Sequence, residues 1–120
     1  MAGTWLEPLP DFLERRGTPR WPVDFLLTYG VGTESYQGRA QDMSETGLRF
    51  EGEHGYPEGT VIRLVLLSRS LEGQEQPIHL EARVCHREGA SLGVEFFDLT
   101  PEQEAAILET LYQMIALSRR

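Results

Sequence analysis

Asp42-Met43-Ser44-Glu45-Thr46-Gly47 lies between two predicted strands, Tyr36–Met43 and Leu48–Glu51. In the second of these, Leu48 and Phe50 fall on one face and Arg49 and Glu51 on the other, the two-residue period of a strand with one buried side. A short polar segment closing on glycine is the expected link between such strands. The spacing Asp-x-Ser-x-x-Gly within it is rare. Four aspartates, six serines and 12 glycines in 120 residues predict about 0.02 chance occurrences. Its chemistry suits a guanine, because a carboxylate accepts from the N1 and N2 donors of that base. The serine hydroxyl can bond a phosphate or brace the turn. Gly47 would supply a positive φ or a close backbone approach. The plain structural reading is a turn in which Asp42 and Ser44 bond their own backbone.

On either side the chain continues as short strands. Val23–Tyr29 is apolar and aromatic and stops at Gly30-Val31-Gly32. The run Thr60–Leu67 is nearly all apolar, the pattern of a strand covered on both sides. Ile78, Leu80, Ala82 and Val84 alternate with His79, Glu81, Arg83 and Cys85, and Ser91–Phe97 is the sixth strand. Strands this short at such spacing predict a closed or nearly closed barrel. The pattern then turns helical. Thr100-Pro101-Glu102-Gln103 has a capping threonine, proline at the first helical position and glutamine at the third. Ile107, Leu108, Leu111, Tyr112 and Ile115 form one broad apolar face.

Ahead of the first strand, Arg15-Arg16-Gly17-Thr18-Pro19-Arg20 places two arginines four apart, with a third beside them. Eleven arginines in the chain give about one such pair by chance, and Arg83 with Arg87 is a second. The first pair differs in context: Gly17 and Pro19 disfavour a helix there. Residues 1–21 therefore read as an irregular arm that can close over a ligand and offer each phosphate or base its own fork of donors. A solvated linker is the plain alternative.

All basic residues are arginine, and the net charge is −8. That charge opposes broad binding to DNA or RNA and docking on anionic lipid. It leaves room for a small anion held by a local cluster of arginines. One cysteine, Cys85, excludes an internal disulfide and a cysteine-rich metal site. Cys85 and His86 are neighbours on a strand, so they should point to opposite faces. Catalysis and metal binding are not expected. With no apparent signal peptide or membrane span, the chain is expected to be cytoplasmic.

In order along the chain, Arg16 and Arg20, then Asp42, Ser44 and Gly47, resemble the two motifs of the PilZ domain family. Gly93-Val94-Glu95-Phe96 is similar to that family's closing Gly-apolar-x-Phe pattern. The resemblance implies a mainly β fold: a six-stranded antiparallel PilZ-type β-barrel with a C-terminal α-helix over residues 22–118, preceded by the arm. It implies binding of cyclic di-GMP, with Arg15, Arg16, Arg20, Asp42, Ser44 and Gly47 as ligand residues and no metal or other cofactor. It also implies an effector protein as partner, of motility, pilus or exopolysaccharide machinery, for a monomer or homodimer. The alternatives are a PilZ-like adaptor that works without the nucleotide and an OB-like nucleic-acid barrel, which the acidic charge opposes.

Overall fold

The computed structural model describes residues 19–69 and 75–118. Seven strands appear among these residues: β1 (Trp21–Pro22), β2 (Leu26–Gly30), β3 (Tyr36–Met43), β4 (Gly47–Gly52), β5 (Val61–Arg69), β6 (Glu75–Glu88) and β7 (Ser91–Phe97). One helix, α1 (Pro101–Ser118), follows. The ladders run β3-β2-β5-β6-β7-β4, and β4 pairs back onto β3. Six antiparallel strands thus close into a barrel, and closure leaves no free edge among them. The two-residue β1 adds to the outside of β3 through Trp21↔Met43 and Pro22↔Asp42.

Alternation explains which side chains fill the barrel. Leu27, Leu48, Phe50, Ile62, Leu64 and Leu66 point inward and are fully buried. The apolar run on β5 does not have cover on both sides, contrary to its sequence pattern. Its inward residues are buried, whereas Val61 and Leu67 lie on the open outer face. Continuous hydrophobicity there reflects apolar residues on a solvated face rather than a second layer.

The helix start forms as its sequence predicts. The Gln103 amide donates to Thr100 Oγ1 at 3.1 Å, and the Thr100 amide donates to Gln103 Oε1 at 2.7 Å. Gln103 also anchors the helix to the barrel, its Nε2 donating to the His79 carbonyl at 2.7 Å. The broad apolar face is divided, however. Ile107 and Leu111 enter the core, while Leu108 and Tyr112 remain exposed.

Candidate functional site

Two β-bulges build the site. On β3, Gly38 and Ala40 are buried, and strict alternation would send Asp42 inward after them. The ladder instead passes from Ala40↔Phe50 directly to Asp42↔Arg49, which leaves Gln41 as an extra residue. A bulge of this kind shifts the parity of the residues beyond it. Met43 therefore enters the core and Asp42 turns outward. On β6 the partners change from Val84↔Val94 to His86↔Gly93, with Cys85 extra. This corrects the expectation for Cys85 and His86: the bulge leaves both exposed, and both line one groove.

The register then sets Asp42, Arg49, Gly93 and His86 side by side as one row across β3, β4, β7 and β6. Arg20 reaches the end of that row from the segment before β1. These residues, with Gly47 and Glu95, line an open groove of ≈ 400 Å³.

Asp42 is the centre of the charge arrangement. Arg20 Nε donates to its Oδ1 at 2.7 Å, and Arg49 Nε donates to its Oδ2 at 2.8 Å. Burial alone would raise the Asp42 pKa, but the hydrogen bonds from Arg20 and then Arg49 outweigh it and hold the carboxyl below its ordinary value. Asp42 is thus an ionised acceptor, its side chain only 19% exposed. Each arginine is engaged through Nε, and among the described residues its terminal N–H groups face no competing partner. Each Asp42 oxygen likewise keeps acceptor capacity. Among the described residues this clamp orients its three side chains while leaving part of their bonding capacity unused.

The turn behind Asp42 is cross-braced by hydrogen bonds. Ser44 is buried; its amide donates to the Gly47 carbonyl at 2.9 Å, and its Oγ accepts from the Thr46 amide at 3.2 Å. In this structure the Ser44 hydroxyl braces the turn. Gly47 serves through close approach, not a positive φ, since a Cβ there would stand 2.4 Å from the Val94 carbonyl oxygen.

Of the residues expected in the site, Arg20, Asp42 and Gly47 line the groove, and Ser44 lies behind it. Arg15 and Arg16 lie outside the described residues. Arg49 was missed by sequence reasoning, although its outward position on β4 and its place two residues after Gly47 were legible. The other arginine pair points elsewhere. Arg83 sits over the Phe97 ring, 5.3 Å from its centroid, and Arg87 Nε donates to the Gly89 carbonyl. Burial, and then the charge of Glu95, raise the Cys85 pKa, which disfavours a reactive thiolate. Among the described residues no cluster of His, Cys, Asp and Glu could hold a metal ion. No described helix is long and apolar enough to cross a membrane.

A family model described as PilZ domain matches residues 14–113. The PilZ domain of YcgR from Escherichia coli, solved with c-di-GMP, superposes with a TM-score of 0.70 at 15% identity, over 88% of this chain and 95% of that one. The Bacillus subtilis inhibitor of motility MotI/DgrA gives a TM-score of 0.70 at 18% identity, over 88% of this chain and 53% of that one. The PilZ domain of CeSA from a cellulose-synthesizing bacterium gives 0.59 at 15% identity, covering 83% and 98%. At these identities the likeness is one of fold. No curated protein matches the chain in sequence.

Proposed function

This chain belongs to the PilZ domain family, and from that premise we propose that it is a sensor and adaptor that binds cyclic di-GMP in the groove beside Asp42. The observation that carries this reading is the carboxylate of Asp42 held between Arg20 and Arg49 at the edge of an open groove. A guanine edge offers N1 and N2 donors to such a carboxylate, and O6 and N7 acceptors to a guanidinium. Phosphates take the remaining guanidinium N–H groups, and charge-assisted bonds of this kind are among the stronger ones available. Gly93 leaves the floor of the groove low between Arg49 and His86, with room for a flat base. Arg15 and Arg16 complete the grip from the arm. Ser44 and Gly47 act by fixing the turn from which Asp42 projects. The solved YcgR domain with c-di-GMP supports the ligand class.

The switch arises from where Arg20 sits. It precedes β1, which is held to β3 by only two residue pairs. A ligand bridging Arg15, Arg16 and Arg20 to the barrel orders the arm and changes the surface presented to a partner. No catalytic role is assigned to the groove.

Thermal unfolding tests the reading. A ligand at a hundred times its dissociation constant stabilises by about 2.7 kcal/mol, so cyclic di-GMP should raise the Tm of the wild type. GMP should not do so at equal concentration, and Asp42→Ala should abolish the rise. An equal response to GMP, or an undiminished one in Asp42→Ala, would exclude this site. The second reading, an adaptor independent of nucleotide, is favoured by one observation, the exposed apolar residues of α1. It predicts no thermal response to the nucleotide at all.

A further inference from the structure

Helix α1 has a second apolar stripe besides the one it buries. At roughly 100° per residue, Ala105, Leu108, Tyr112 and Ala116 lie on a side turned away from Ile107. Leu108 is 42% and Tyr112 73% exposed. On one flank, Leu108 and Tyr112 share a groove of ≈ 190 Å³ with Pro19, Trp21 and Ile115. On the other they line an open apolar cleft with Ala105 and Ala116. Neighbouring apolar clefts on one helix face exceed the scattered exposed leucine that needs no explanation.

The charge around the stripe specifies its occupant. By the same helical geometry Glu104 and Glu109 fall on its two sides, Glu45 lines the groove on the Trp21 side, and the described helix contains no basic residue. A second copy of this chain would lay glutamates against glutamates, in a protein of net charge −8. A cationic partner would place its charges on these carboxylates while an apolar ridge filled the clefts. We infer that the outer face of α1, with Trp21, is a docking surface for a basic amphipathic helix of a partner protein. Docking stands on this surface alone. Its coupling to nucleotide rests on the sensor reading, through the chain neighbours Arg20 and Trp21, one bonded to Asp42 and the other lining the docking groove.

Fluorescence anisotropy with the full chain tests it, using a labelled helical peptide of leucine and lysine and its counterpart with glutamate at every lysine. The basic peptide should bind at least about tenfold more tightly. Tyr112→Ser, at an exposed position, should weaken it about fivefold or more, and so should Glu109→Lys, whereas Glu88→Lys, the same charge change away from the helix, should cost less than about twofold. Equal weakening by Glu88→Lys and Glu109→Lys would reduce the binding to bulk charge and overturn the inference. So would equal binding of the two peptides, or sedimentation showing a dimer that Tyr112→Ser dissolves. Tenfold tighter binding after Trp5→Ala with Phe12→Ala would also overturn it, by assigning the face to the chain's own N-terminal segment. A chain that binds the basic peptide but not cyclic di-GMP keeps this inference and removes the sensor reading.

Discussion

Asp42 is the residue on which the site turns, and its ionisation makes the stability of the fold depend on pH. Its folded pKa is lowered from the ordinary 3.8. A lowered carboxylate contributes stability that is present above the unfolded value and is lost as pH falls through the folded one. The Tm of the wild type should therefore exceed that of Asp42→Asn at neutral pH. The gap should close as the solution is acidified from 3.8 through the folded value; a gap independent of pH in that range would contradict the clamp. Two glycines separate fold from ligand at the same scale. At Gly47 a Cβ would stand 2.4 Å from backbone, so Gly47→Ala should cost about 1–3 kcal/mol in urea unfolding. At Gly93 a Cβ would meet only His86, its Cβ at an ordinary 3.5 Å and its carbonyl oxygen at 4.0 Å. Gly93→Val should thus stay within about 0.5 kcal/mol of wild-type stability, yet weaken cyclic di-GMP about tenfold or more by filling the groove floor.

At the scale of elements, the bulges matter most, and they also mark the limit of the sequence. Six strands and a capped helix are legible from alternation, turn residues and the Thr100–Gln103 box. The bulge on β3 leaves a trace, since the core residues Gly38, Ala40 and Met43 are spaced by two and then three. The bulge on β6 leaves none, because Cys85 and His86 both suit an exposed position. Pairing of Asp42 with Arg49 depends on the first bulge, so Arg49 could be placed on the correct face but not beside its partner. The outer face of β5 departs from its sequence pattern for a related reason: period alone does not distinguish a covered face from an apolar one in solvent. The helix start offers a clean check. Gln103→Ala removes the bond to the Thr100 amide and the anchor to the His79 carbonyl. At about 0.5–1.5 kcal/mol per hydrogen bond, it should cost about 1–3 kcal/mol in urea unfolding. A loss no greater than that of an exposed control such as Glu102→Ala would show the box to be idle.

For the whole molecule, local and global charge oppose each other. The groove is built around guanidinium groups, but the chain carries −8 overall, so the proposed site predicts an anionic nucleotide repelled at long range and held at short range. Raising ionic strength from about 0.02 to about 0.2 M shortens the Debye length several-fold. The association rate measured by stopped flow should rise with it, while dissociation also quickens as the exposed arginine contacts weaken. The same molecule joins Arg20, at the proposed nucleotide groove, to Trp21, at the helix surface, through one peptide bond. Nucleotide capture and its coupling to the helix surface both depend on whether the clamp around Asp42 is the nucleotide site; docking on the helix does not. Titration calorimetry of cyclic di-GMP into wild type, Arg20→Ala and Arg49→Ala measures this directly. A nucleotide site at this clamp should give saturable heat with a dissociation constant of about a micromolar or tighter for wild type, weakened about tenfold or more in each variant. No heat from wild type at about tens of micromolar, or equal binding by all three proteins, would contradict it.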